Sequence, residues 1–255
     1  MKNDLKEQVE LFHLLFLEQL GRKVDKTLYA LKGGCNMRFY FKSIRYSEDM
    51  DIDIKTILKD TLSKNVNKIL NSVPFNNILK ARGIEILNTS NPKNTQTTQR
   101  WKIELKSKSF TLPLHTKIEF SRRKLDDDTK YQPIDPQIIQ QYSIMPFMAN
   151  HYTIQSMFRQ KIHALALRSE TQSRDIFDLY LLIHSGNQFK LNAETKILLK
   201  KAKDRAIAAN FSDFKGQVVA YLSEEHQGQY DDQSTWKLIV NTVIKSLDEH
   251  SHDAN

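Results

Sequence analysis

The segment LKGGCNMRFYFKSIRYSEDMDID, residues 31–53, constrains the fold more than any other part of the chain. From Met50 to Ile54 apolar and acidic residues alternate with period two, the pattern of a half-buried strand. Met50, Ile52 and Ile54 take one face, Asp51 and Asp53 take the other, and Asp49 extends the acidic face backwards. Upstream, residues 28–31 read as a short strand closed by Gly33 and Gly34, and residues 36–41 as a short helix. The order is therefore strand, glycine corner, short helix, acidic strand.

The flanking pattern supports a mixed architecture. Leu5, Val9, Phe12, Leu15, Phe16 and Leu20 recur at helical spacing over residues 5–20, and residues 56–72 return to that spacing. Strands are expected at 84–88, 101–106 and 116–121, with the polar stretch 89–99 as an exposed hairpin loop. A charged, proline-bearing connection follows, and from residue 151 only helices are expected: 151–168, 174–185, 193–209, 212–224 and 233–248. Strands first and helices afterwards make an α+β chain. Its boundaries are placed at 1–135 for an α/β domain and 136–255 for a helical C-terminal domain. His250 and His252 fall in a polar tail expected to be disordered, and no zinc site is assigned.

Composition narrows the class. The 255 residues are 40% hydrophobic, a globular balance, and no apolar run approaches the roughly 20 residues that cross a bilayer. The first residues carry acids before their apolar stretch and no small-residue cleavage site, so no signal peptide is expected. One cysteine, Cys35, excludes a disulfide framework and a Cys-rich zinc site. A cytosolic protein without a membrane partner is expected. The 38 Lys and Arg against 30 Asp and Glu leave a net charge of +8. Such a field favours RNA, DNA or nucleotides, although solubility alone explains it as well.

The chemistry concentrates in the opening segment. Gly33 and Gly34 lack Cβ, so their backbone can approach a triphosphate closely, and a helix starting after them would aim free N–H groups at phosphate oxygens. Asp49 and Asp51 leave one strand face. Two carboxylates ~4 Å apart repel by about 4 kcal/mol at an effective dielectric of about 20, a repulsion that a cation relieves. Mg²⁺ suits, taking one or two carboxylates with water and phosphate oxygens. Glu119, in KIEFS on another strand, is available as a third acid, which makes a two-metal phosphoryl-transfer site geometrically reasonable. Duller explanations stand beside this: a Gly-Gly pair is often a turn, and alternating acids often form the solvated face of an edge strand.

These residues resemble a known family. LKGGCNMRF followed by RYSEDMDID is similar to the first motif of the minimal nucleotidyltransferases related to DNA polymerase beta, in the form found in the AbiEii/AbiGii toxin family with its mycobacterial MenT-type members. A second block, FRQKIHALALRSETQSRDIFDLYLL at 158–182, matches the family's Lys, Ala-Leu, Arg and Arg-Asp-x-x-Asp-Leu pattern. The resemblance implies a polymerase-beta-like mixed sheet with helices. It implies an enzyme moving NMP from an NTP to an RNA acceptor, with tRNA favoured, in a toxin–antitoxin or phage-defence system with a cognate antitoxin encoded nearby. Gly33 and Gly34 would hold the triphosphate, with Arg38, Ser47, Lys161 and Arg174 also on the nucleotide. Asp49, Asp51 and Glu119 would bind two Mg²⁺, or Mn²⁺ in their place, and Asp175 and Asp178 would support catalysis. Cys35 departs from the usual Ser or Thr, which places a hydroxyl contact to phosphate in doubt.

The residues alone leave alternatives open. Lys161 could snorkel from an apolar stripe or meet phosphate. Asp175 could stabilise a helix start, and Asp178 could pair with Arg174. Cys35 could be a small, partly buried turn residue. Tyr40, Phe41 and Trp101 could stack on a base or fill the core. The basic runs 121–124 and 196–205, with Lys196, Lys200, Lys203 and Arg205, could track an RNA backbone or form a solvated face. Lys32 precedes the glycines, the wrong order for a Walker loop, and no G-x-S-x-G occurs. Acceptors other than RNA (a small molecule such as an aminoglycoside, or a protein hydroxyl) and an inactive nucleotide-binding or nucleic-acid-binding module are the competing readings.

Overall fold

The computed structural model describes residues 5–122 and 128–252. The chain divides into two compact units, one of residues 1–42 and 46–152, the other of residues 43–45 and 153–255.

The first unit opens with α1 (Leu5–Gly21), whose apolar spacing brings Phe12, Phe16 and Leu20 into the core. Gln8, Glu10 and His13 are buried with them, so the helix is covered on more than its apolar stripe. β1 (Tyr29–Lys32) runs directly into α2 (Gly33–Tyr40), and β2 (Met50–Ile54) follows at the expected residues. The helix expected at 56–72 is α3 (Lys59–Leu70), burying Leu62, Val66, Ile69 and Leu70. α4 (Val73–Ala81) was hidden behind it. Its start signals are Ser72, which accepts the Phe75 N–H at 3.4 Å, and Pro74 in the first turn.

β3 (Ile84–Asn94) and β4 (Thr98–Ser107) correct the expected loop at 89–99, most of which is strand. The polarity that suggested a loop is that of an edge strand, since among the described residues β3 pairs only with β4. Pro92, which cannot donate to a ladder, sits in the register shift between Ser90 and Lys93. β5 (Leu114–Arg122) contains the expected third strand. Beyond it, β6 (Thr129–Pro133) falls in the expected connection, α5 (Pro136–Tyr142) follows, and β7 (Met148–Tyr152) corrects the helix expected to begin at residue 151. Neither strand alternates apolar and polar residues as β2 does, so periodicity gave them little weight. Through β7, residues 136–152 are counted with the sheet unit, whereas the sequence boundary at 135/136 set them with the helices.

The strands form one mixed seven-stranded sheet in the order β3-β4-β5-β2-β1-β7-β6. β2 lies inside it, antiparallel to β1 and parallel to β5, which removes the edge-strand explanation of its acids. Ile52, Trp101, Ile118 and Phe120 are buried in one core cluster with Phe12 and Leu62. Each fully buried side chain of this size contributes roughly 1.5–3 kcal/mol. Trp101 packs edge-on to Phe120 and donates to Asn67 Oδ1 at 2.9 Å, so it is a core residue with its polar handle satisfied. Tyr40 stacks on His151 with centroids 3.5 Å apart, and Phe41 tilts against the same ring.

The second unit holds α6 (Ile154–Leu167), α7 (Ser173–Ile183), α8 (Ala193–Ala208), α9 (Phe211–Gln217), α10 (Glu224–Tyr230) and α11 (Gln233–His252). Phe158, Phe177, Phe214 and Trp236 are buried, and Phe214 stacks on Trp236 at 4.5 Å. α11 runs through the segment expected to be a disordered tail. His250 is tied down within it, one ring nitrogen 2.8 Å from the Ser246 carbonyl and the other 3.2 Å from that of Phe189. Among the described residues no helix is long and apolar enough to cross a membrane.

Candidate active site

Gly33 adopts φ +66°, the left-handed conformation that glycine enters without strain. It also stands against the acidic strand: a Cβ there would lie 3.1 Å from Asp51 Oδ2. Both demands select glycine at the corner between β1 and α2. The N-cap residue of α2, Lys32, makes no side-chain cap hydrogen bond, so no such cap occupies the N–H groups of the first turn.

The sheet register builds the acidic face. Asp51 is opposite Lys32 on β1 and Glu119 on β5, and Glu119 is in turn opposite Arg100 on β4. Period two adds Asp53, with Asp49 at the entry to the strand. The acids then differ in their partners. Asp53 is 4% exposed, pairs with the Lys32 ammonium and accepts the Tyr152 hydroxyl at 3.0 Å. Glu119 takes Arg100 Nη2 at 2.6 Å and Nε at 2.7 Å. Asp49 accepts the Lys117 N–H at 3.2 Å and holds the Lys117 ammonium at 2.5 Å. The Asp51 carboxylate, among the described residues, carries no hydrogen bond or ion pair.

Asp49 has its pKa raised. Burial is the largest cause, the charges of Glu48 and Asp51 act in the same direction, and Lys117 opposes them. A carboxylate destabilised chiefly by burial is a place where a cation is welcome. The fit is that of a pair. Asp49 and Asp51 supply hard oxygen donors of the kind a divalent cation takes together with water and phosphate. Among the described residues no group of three or more His, Cys, Asp and Glu side chains is arranged to hold a metal ion. Glu119 is opposite Asp51 in the register, and its carboxylate is held by Arg100 as that of Asp49 is held by Lys117.

Ser47 and Cys35 both turn to the backbone. The Ser47 hydroxyl donates to the Asp49 carbonyl at 2.8 Å, and Cys35 Sγ donates to the same carbonyl at 3.3 Å. Cys35 is 1% exposed, buried more fully than a turn residue was expected to be. Arg38 grips Glu10 through Nε at 2.7 Å and Nη2 at 3.2 Å, and lies over the Tyr46 ring.

In the helical unit Lys161 is 6% exposed. Its ammonium lies 2.9 Å from Asp175 and 2.5 Å from Asp178. Arg168 completes Asp175 at 2.8 Å, and Arg45 completes Asp178 at 3.3 Å. Asp178 thus pairs with Lys161 and Arg45 and not with Arg174, correcting the local i,i+4 pairing. Burial opposes the charge of Asp178, yet the two cations hold its pKa below the usual range. Arg174 is half-buried and makes no ion pair among the described residues. On α8, Lys203 is taken by Asp248 at 2.7 Å and Arg205 bonds the Ser169 carbonyl, so those two are not free phosphate contacts. In the other basic run Arg122 bonds the Gln99 side chain, while Arg123 and Lys124 lie outside the described residues.

Sequence reasoning missed Lys117, Arg100 and Arg45. Lys117 was legible: it stands two residues before Glu119, on the same strand face. Arg100 needed the β4–β5 register, and Arg45 needed tertiary structure.

The fold has solved counterparts. MenT4, a nucleotidyltransferase toxin from Mycobacterium tuberculosis H37Rv, superposes with TM-score 0.68 at 13% identity, covering 96% of this chain and 84% of that one. JHP933 from Helicobacter pylori superposes with TM-score 0.57 at 19% identity, covering 96% and 94%. At such identities the likeness speaks for the fold. A search of curated proteins finds no match. Beyond the fold, most of the chain matches a nucleotidyltransferase family. The family model described as nucleotidyl transferase AbiEii toxin, type IV toxin–antitoxin system, matches residues 15–253, and the chain belongs to that family.

Proposed function

We propose that this toxin transfers a nucleoside monophosphate from an NTP to an RNA, with tRNA the favoured acceptor, and that Asp49 and Asp51 hold Mg²⁺ for the reaction. The observation that carries the proposal is the unpaired Asp51 carboxylate against the Gly33 corner, beside the destabilised Asp49. The amides at the start of α2 are donors for phosphate oxygens. An acceptor hydroxyl attacks the α-phosphorus in line, a new P–O bond forms, the bond to the β-phosphate bridging oxygen breaks, and pyrophosphate leaves with the proton passed to solvent. When bound, the cation supplies charge neutralisation at the phosphates. Lys117 and Arg100 hold the Asp49 and Glu119 carboxylates in place before substrate arrives.

Lys161 remains a candidate phosphate ligand. An ammonium has three N–H donors, and Asp175 and Asp178 take two. The net charge of +8 supports a polyanionic acceptor. Family membership brings an antitoxin partner.

The test is incubation of purified protein with α-phosphate-labelled NTPs, Mg²⁺ and total tRNA. Label in tRNA, lost with EDTA, is the expected result. Label entering only proteins or aminoglycosides replaces the acceptor, and no label anywhere with a working control enzyme refutes the reaction. Induced expression should arrest growth, and Asp49→Ala should relieve the arrest.

A further inference from the structure

Behind Asp49 lies a buried chain of polar groups that the proposed chemistry leaves unused. His13 on α1, Cys35 in the first turn of α2 and Thr116 on β5 are 1%, 1% and 5% exposed. His13 Nε2 is 2.7 Å from Thr116 Oγ1, and His13 Nδ1 is 3.6 Å from Cys35 Sγ. The Thr116 hydroxyl donates to the Glu48 carbonyl at 2.7 Å. Cys35 Sγ lies 3.3 Å from the Asp49 carbonyl, which also accepts from Ser47 at 2.8 Å.

Counting protons orders this chain. Thr116 has one hydroxyl proton, and it goes to Glu48. Its oxygen must then accept from His13, which makes Nε2 the protonated ring nitrogen and leaves Nδ1 as an acceptor. The Cys35 S–H is the donor that faces Nδ1, and it is shared with the Asp49 carbonyl. No member needs a charge. Burial pushes the imidazole pKa down to about 3 and the thiol well above its ordinary value. Thr116 on β5 and Cys35 on α2 therefore grip the consecutive carbonyls of residues 48 and 49, and His13 on α1 ties the two grips together behind the Asp49 carboxylate. The position that the family resemblance assigns to a phosphate-binding hydroxyl holds a thiol facing the interior.

We propose that His13, Thr116 and Cys35 form a positioning relay that fixes the 48–49 backbone so that Asp49 is presented beside Asp51. Cys35 is thus a positioning residue, and not a nucleotide ligand. This rests on the reading of the acidic face as the transfer site.

Two matched pairs in the full chain test it. Cys35→Ser and Thr116→Ser keep a donor, whereas Cys35→Ala and Thr116→Val remove it. The serine variants should stay within about threefold of wild-type kcat, while the donor-less variants lose about tenfold or more, the scale of lost outer-shell support. The NTP KM should hold within about twofold in all four, and thermal melts identify any variant that is merely unfolded. Wild-type kcat in Cys35→Ala overturns the relay. A raised NTP KM at unchanged kcat overturns it too and returns Cys35 to the nucleotide. A second readout needs no turnover: ¹⁵N-histidine NMR should find His13 neutral and protonated on Nε2. A proton on Nδ1, or an imidazolium at neutral pH, overturns the relay alone. Wild-type protein that transfers no label overturns instead the reading of the acidic face.

Discussion

The chain holds two clusters of carboxylates, and they are finished differently. On the sheet, Asp51 and Glu119 are register partners with Asp49 just ahead of the strand; Lys117 and Arg100 answer two of the three and, among the described residues, the Asp51 carboxylate is left open. In the helical unit, Asp175 and Asp178 are fully buried, and Lys161, Arg168 and Arg45 saturate them. Residue type is the same; solvent access and partner count are not. A carboxylate with spare lone pairs at a glycine corner can recruit a cation and phosphate. A saturated buried one is a fixed part of its unit, whose removal strands its partners. Even there Lys161 has one donor in hand, so the two clusters differ in how much binding capacity they keep, and substitutions should separate them.

The largest effect is expected from Asp51→Asn or Asp49→Asn: transfer falls by about a hundredfold or more while the urea midpoint stays near wild type, measured by label transfer and denaturation. Asp178→Asn should do the reverse in stability, losing about 3–5 kcal/mol in urea unfolding at unchanged m, because Lys161 and Arg45 are left buried with too little negative charge. A helical cluster that tolerates this change would erase the contrast.

The pH dependence sharpens it. The native pKa of Asp178 lies below its unfolded value, so its contribution is complete above the unfolded carboxylate range and is lost as pH falls through the native value. Asp49 has the opposite sign: raised by burial, it favours folding most when protonated, so its contribution declines as pH climbs past the unfolded value. His13 and His151 are buried neutral, lowered to about 3 and about 4 from 6.5, so their stabilisation is present above 6.5 and falls away on acidification. Urea midpoints between pH 4 and 6.5 should therefore decline with acid, and His151→Gln should flatten the slope by about one proton. The smallest effect belongs to Lys203→Ala: its pair with Asp248 is half-exposed and should contribute about 0.2–1 kcal/mol, removed by salt.

Much of this was legible in the residues. The period-two run at 50–54 located β2 to the residue, and the glycine pair located the corner, because both signals are local and strong. The edge strand β3 was misread where polar residues and Pro92 imitate a loop, and β6 and β7, no shorter than β2, lack its apolar–polar alternation. At the site, the strand pairing sets Asp51 beside Glu119, and Asp49 stands one residue ahead of the strand. What spacing could not supply was the partner of each acid. Arg100 reaches Glu119 through a register, and Lys161 reaches Asp178 through the packing of two helices. Those are long-range facts, and no local pattern encodes them.

The account rests on the open carboxylate at the glycine corner. Its most direct test is transfer of α-phosphate label to tRNA with concurrent pyrophosphate release, run on wild type and on a folded Asp51→Asn variant side by side. Label and pyrophosphate from the wild type, with neither from the variant, is the outcome predicted. Equal transfer by the two proteins would contradict the account and move the chemistry away from this face.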